Sequence, residues 1–139
     1  MRKLLMVLVV AVMAAIGFAE PAQATVNTVD MPFGMAYGNS TTTGTIHFGD
    51  GYTASVSGTV HAASGGRSAC AYGMNGNVLS NDIRCSSVAY AGGPNTTFGG
   101  TLQIPLSGGV VRVYIVMYDE NGYALAKEFC TRIGCTRVY

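Results

Sequence analysis

Four cysteines, two histidines and one arginine enclosed between two of the cysteines are the residues of this chain best placed to do chemistry. The cysteines are Cys70, Cys85, Cys130 and Cys135. None is spaced C-x-x-C, and His47 and His61 stand apart from them, so a tetrahedral metal centre is not encoded. An even cysteine count without metal spacing reads as a disulfide framework, provided the compartment is oxidising. Four cysteines allow three pairings. The nearest-neighbour one, Cys70–Cys85 with Cys130–Cys135, is favoured, and closing the longer loop is worth roughly 3 kcal/mol if chain entropy dominates.

Catalytic motifs are missing: there is no G-x-S-x-G elbow, no H-E-x-x-H and no phosphate-cradling glycine loop. The two histidines, Asp50 and many serines supply the types for a nucleophile, base and acid, but a triad is defined by geometry and no spacing here brings them together. His47 and His61 read instead as polar residues on a strand surface. Asp119-Glu120-Asn121-Gly122 offers some oxygen donors of a calcium loop without the remaining ligands, and turn chemistry accounts for all four residues. The expectation is a protein that is not an enzyme, takes no cofactor or metal, and acts by binding.

Two stretches suit binding. Val110, Arg112, Tyr114, Val116 and Tyr118 alternate along one face of an apolar segment, a face too apolar and aromatic for a purely solvated surface. Arg112, Tyr114, Val116 and Tyr118 are therefore candidate ligand contacts, for a small molecule or a glycan; tyrosine offers an apolar body with a polar tip. The second stretch is Cys130-Thr131-Arg132-Ile133-Gly134-Cys135. If its cysteines pair, Arg132 is displayed in a small closed ring. Thr131, Arg132 and Ile133 there resemble the reactive loop of Bowman–Birk-type trypsin inhibitors, in which a preorganised loop binds at reduced entropic cost. The ring is smaller than that family's and lacks its prolines. An extracellular protein, a protease above all, is the partner this resemblance implies. A third possibility is a surface or matrix component that self-associates through exposed strand edges.

From about Ala69 to Val138 the cysteine pattern, a mid-chain pair followed by Cys130-Thr131 and Cys135, resembles the neocarzinostatin-type apoproteins that carry enediyne antibiotics. The resemblance implies a secreted immunoglobulin-like sandwich with a hydrophobic ligand cleft. Cys70 and Cys85 are more widely spaced than in that family, and no ligand-contacting residue carries over.

The elements that must position these residues are strands. Val111, Val113, Ile115 and Met117 alternate onto one side of the segment leading to Asp119, the period of a half-buried strand. The turn residues and Gly122 in a left-handed conformation then close a hairpin with a bulge onto a second strand ending at Cys130. Val110 to Tyr118 is the expected central strand. Tyr52 to Val60 alternates Ala54, Val56, Gly58 and Val60 against Thr53, Ser55, Ser57 and Thr59, one apolar face and one hydroxyl face. Further strands are expected at Thr25–Val29 (an edge strand broken at Met31-Pro32), Thr45–Phe48, Ala69–Met74, Ser86–Ala91 and Thr97–Ile104, the last kinked at Gly99-Gly100. Gly34 to Thr43 reads as a loop, and Val78 to Arg84 is ambiguous. Recurrent turns and the lack of helical periodicity predict an all-β fold, a small antiparallel sandwich of immunoglobulin-like or Greek-key type with two disulfides.

Residues 1–24 carry a basic start, an apolar run and Ala22-Gln23-Ala24, the pattern of a secretory signal peptide cleaved after Ala24. The remainder, 25–139, fits one domain. It carries six basic and six acidic residues. A neutral chain with so few charges lacks the footprint of a nucleic-acid binder. No later segment is apolar enough to span a bilayer as a helix, so the expected product is secreted and free of the membrane.

Overall fold

The computed structural model describes residues 27–49 and 51–139. The expected leader over residues 1–24 and the first residues of the expected edge strand lie outside these, as does Asp50.

The described residues form ten strands and no helix. They are β1 Val29–Tyr37, β2 Ser40–Phe48, β3 Thr53–His61, β4 Gly66–Asn75 and β5 Val78–Cys85, followed by β6 Ala89–Tyr90, β7 Thr96–Gln103, β8 Arg112–Asp119, β9 Ala124–Thr131 and β10 Gly134–Arg137. A first sheet has the order β1-β2-β3-β7; a second has the order β10-β9-β8-β4-β5, with β6 added beside β4. Every pairing is antiparallel. The chain builds a meander in the first sheet and crosses to the second after β3. It returns for β7 and crosses again for β8. That route leaves β8 central in the second sheet, as its Val/Ile/Met content predicts.

The sheets pack face to face over one core. Phe48, Ile46, Leu102, Ile104, Ile115 and Met117 are its largest fully buried side chains. In β3 the predicted alternation is found: Ala54, Val56, Gly58 and Val60 point in, and Thr53, Ser55, Ser57 and Thr59 point out. In β8, Val113, Ile115 and Met117 point in, but Val111 does not; it is exposed, and Val110 is buried instead. Gly108 and Gly109, both at positive φ (89° and 56°), reset the phase before the strand begins at Arg112.

Other expectations need correction. The edge strand is not broken at Met31-Pro32; β1 runs through Pro32 to Tyr37. It lies at the edge of its sheet, where alternate amides have no ladder partner, so proline is tolerated. The expected loop at 34–43 is a hairpin instead. Gly38, at φ 59°, opens its two-residue turn, the position a type II′ turn gives to glycine. The ambiguous segment 78–84 is strand β5, whereas the strand expected at 86–91 shrinks to two residues. No kink interrupts β7: Gly99 and Gly100 pair in register with Ser57 and Val56. The missing side chain at Gly100 makes room for Arg84, whose Nε and Nη2 donate to the Thr101 carbonyl at 3.1 and 3.0 Å.

Both disulfides form as paired above, and each joins directly opposed residues of neighbouring strands: Cys70–Cys85 across β4 and β5, Cys130–Cys135 across β9 and β10. They suit an oxidising compartment, and no helix of the described residues is long and apolar enough to cross a membrane. The Asp119 turn also forms as read. Asp119 Oδ1 accepts the Asn121 and Tyr123 amides, both at 2.9 Å, and Gly122 stands at φ 85° before a register shift between Met117 and Tyr118.

Candidate functional site

Six basic side chains lie among the described residues, and their destinations define the site. Four donate to backbone carbonyls. Arg67 reaches Gly66 O at 2.8 Å. Arg84, on the second sheet, reaches Thr101 O on the first. Arg137 Nη2 crosses from β10 to Ala36 O on β1 at 2.8 Å. Arg132, in the β9–β10 turn, donates to Asn27 O at 3.0 Å, Gly49 O at 2.6 Å and, more distantly, Phe48 O, with its guanidinium 5.4 Å from the centre of the Phe48 ring. Three arginines thus tie the second sheet to the first, and two of these ties lie where β5 meets β7 and β1 meets β10. The remaining two cations, Arg112 and Lys127, donate to no carbonyl among the described residues. Neither stands within ion-pair distance of a carboxylate among the described residues.

Both lie on the outer face of the second sheet, against one row of rings. Tyr72 on β4 and Tyr114 on β8 are opposed in register and stacked, their centroids 5.3 Å apart and their planes 9° from parallel. Phe129 on β9 is opposed to Tyr114 from the other side, at 5.5 Å. Arg112 sits over Phe129 at 5.4 Å. Lys127 sits 4.8 Å from the centre of Tyr114 and 5.8 Å from that of Tyr72. The Tyr72 phenol, as its hydrogen-bond partner, raises the Lys127 pKa against the opposing effect of burial. The ammonium therefore stays charged through the physiological range.

Tyr72 and Tyr114 cover one another's facing sides, and the two cations lie against the rings. Side chains stand roughly perpendicular to a sheet, so the row turns its edges and phenol tips to solvent. Aromatic faces carry negative charge density and edges positive. Positive ring edges, phenol O–H groups, a guanidinium and an ammonium make a surface rich in donors and suited to an anion.

Of the residues expected to contact a ligand, Arg112 and Tyr114 are accessible on this face. Tyr118 is half-buried; burial, with the Tyr72 and Tyr139 phenols adding to it, raises its pKa while Lys127 opposes the rise. Val116 needs correction: at 4% exposure it is floor rather than contact, walled in register by Cys70 and Lys127. The expected inhibitory residues Thr131, Arg132 and Ile133 come together with Gly108, Val111 and Arg112 around an open, mostly apolar groove of about 350 Å³ at the start of β8. The two stretches read as separate sites therefore meet at one place. Ile133 is exposed at the hairpin tip, but Arg132 is not displayed outward as an inhibitory side chain must be.

Lys127, Tyr72 and Phe129 belong to the site and were not singled out in the sequence. A signal was present. Pairing the hairpin from its turn, with the bulge included, places Phe129 opposite Tyr114 and Lys127 opposite Val116. Tyr72 needed the β4–β8 register, which no local pattern supplies.

Elsewhere the polar groups are arranged as structure. His47 Nδ1 contacts Asp30 Oδ1 at 2.5 Å, and His61 Nδ1 contacts Asn95 Oδ1 at 2.9 Å, both on the exposed outer side of the first sheet. Glu128 is buried inside the sandwich beside the Cys130–Cys135 bridge. Burial raises its pKa, only partly offset by Arg137 and the Gly34 amide. A raised carboxyl pKa means stability is greatest with the group protonated and is lost as pH rises from about 4.5 through the folded value. Glu128→Gln is accordingly expected to melt higher than the parent at neutral pH, with the gap closing under acid. Thermal melts across pH check this; a gap that does not change with pH would contradict it.

No family model matches the chain, and neither does any curated protein or solved structure.

Proposed function

We propose that this is a non-catalytic extracellular binding module that captures an anionic ligand on the outer face of its second sheet, with Arg112, Lys127, Tyr114 and Tyr72 as the contacts. One observation carries the reading. The fold engages four of its six described cations on its own carbonyls and leaves only Arg112 and Lys127 without an oxygen acceptor of the backbone or a carboxylate. Both flank a ring row that presents positive edges. A structural tie of the kind the other four make would call for a backbone carbonyl or a carboxylate, and neither cation has one among the described residues; Lys127 meets only the Tyr72 phenol, itself part of the ring row.

Several supports are independent of charge. The row lies on β9, β8 and β4, with β10 and β5 paired outside them, so hydrogen-bonded neighbours on both sides hold its geometry before a ligand arrives. The groove beside Arg112 continues the surface and adds apolar area. Self-association through strand edges has less to rest on, because arginine side chains tie the two seams where edge strands of the sheets approach each other.

The test is a titration followed by tyrosine fluorescence, which is unobscured because the chain has no tryptophan. Anionic compounds should bind and their neutral amides should not. Arg112→Gln and Lys127→Gln should each weaken binding about two- to fivefold at low salt, the range of a solvent-exposed ion pair, and added salt should weaken the parent further. Equal affinity for charged and neutral partners, or variants indistinguishable from the parent, would refute the reading.

A further inference from the structure

The groove at the start of β8 says more about the ligand than charge alone. Resting on the anion-binding reading, we infer that the ligand is an amphiphilic monoanion, one acidic head on a short aliphatic tail. Its head meets Arg112 and its tail lies in the groove against Val111 and Ile133.

Six residues line the groove, and three of them, Arg112, Thr131 and Arg132, have polar side chains. Two of the three are engaged within the protein. Thr131 Oγ1 donates to Gly134 O at 3.4 Å and accepts the Ile133 amide at 3.3 Å. Arg132 holds the Asn27 and Gly49 carbonyls. Arg112 is left, with no carboxylate in ion-pair distance among the described residues. Lys127 is not part of the lining. The groove therefore offers a ligand one positive charge, and a guanidinium can meet a carboxylate with two parallel hydrogen bonds.

Beside that charge the lining is aliphatic. Val111 is 43% exposed and Ile133 95%. A tail laid over them takes its own apolar surface and theirs out of water. The groove is open, so it covers one side of a tail and returns only part of what complete burial would. Its volume of about 350 Å³ is near the lower end for small-molecule sites, which sets the tail short.

The same lining disfavours other classes. A sugar needs several hydrogen-bond partners, and one free polar side chain is offered. A dianion would place its second charge over aliphatic groups. A neutral apolar compound would cover Val111 and Ile133 but leave the guanidinium unmet.

The experiment titrates the intact, oxidised chain with butyrate, hexanoate and octanoate as monomers, with hexanol and with vesicles of an anionic phospholipid, following backbone amide shifts by NMR. Affinity should rise about twofold per methylene, half the free energy of complete burial, with the largest shifts at Val111, Arg112 and Ile133. Arg112→Gln should weaken all three carboxylates by the same factor, about two- to fivefold, and keep the rise. Ile133→Ser should flatten the rise without lowering the melting temperature, because its side chain is 95% exposed. If butyrate and octanoate bind alike, or Ile133→Ser keeps the rise, the tail is not in the groove, and the inference is overturned while anion binding stands. If vesicles bind and monomeric octanoate does not, the groove serves a membrane surface and the inference is likewise overturned. If hexanol binds as tightly as hexanoate, the anion-binding reading falls with it.

Discussion

Gly44→Ala is expected to lower the stability of the fold by about 3 kcal/mol, the upper range for overpacking a filled core, and to reduce the melting temperature by more than about 10 °C. The reason is a row in the first sheet that reads Phe33, Gly44, Gly58, Phe98 in register across four strands. The two rings come from the flanking strands and fold inward over the two glycines, their centroids 6.2 Å apart. A Cβ on Gly44 would stand 2.6 Å from the Phe33 ring and 2.7 Å from Gly58 Cα, and would overlap the Ser57 carbonyl. A ring can swing aside; the carbonyl and Cα belong to the neighbouring strand and cannot move without parting β2 from β3. Adding Phe33→Leu should therefore recover only part of the loss. Gly34→Ala is the control. Its Cβ would meet nothing closer than a Thr43 methyl at 3.7 Å, so it should be neutral or stabilise by up to about 1 kcal/mol through the unfolded state. Denaturant midpoints for the four proteins decide the matter. Equal effects of the two alanines would mean that the close approach at Gly44 has no energetic weight.

The same row explains where the sequence is legible and where it is not. Period-two alternation in β3 and β8 is a local signal, and both strands are found. The turn at Asp119 is equally local, because one carboxylate and one glycine specify it. The β1–β2 hairpin was hidden by Pro32, Gly34, Gly38 and Gly44, residues that ordinarily mark loops. Here one sits on an edge, one makes the turn, and Gly44 leaves room for a phenylalanine from the neighbouring strand. That complement is visible only once the register is known. In the candidate site, Arg112 and Tyr114 were legible because they share the strongest strand with the core. The partners of the arginines were not: the carbonyls that hold Arg132 lie more than eighty residues away in the chain, beyond the reach of any window. Since those partners decide which cations are left over, the character of the site emerges from the tertiary structure rather than from a motif.

Arg132→Ala follows from this as the second large effect, a loss of about 3 kcal/mol, the range for removing a charged group from hydrogen-bonded acceptors. The guanidinium spans the Asn27 and Gly49 carbonyls and lies on the Phe48 ring, so its removal strips donors from the first sheet and uncovers a core side chain at once. Arg132→Lys should fall between parent and alanine. An ammonium keeps the charge but cannot present the planar fork that reaches separated carbonyls. Because the tie crosses between sheets, the loss should show as a lower denaturant midpoint with an unchanged slope, the sign of lost stability without a change in the surface exposed on unfolding. The same engagement predicts that the parent does not inhibit trypsin-like proteases, since a cleavage-site arginine must leave its own fold to enter a specificity pocket. Inhibition by the parent that Arg132→Ala abolishes, together with unchanged stability of that variant, would reverse the assignment and make Arg132 the functional residue of its loop.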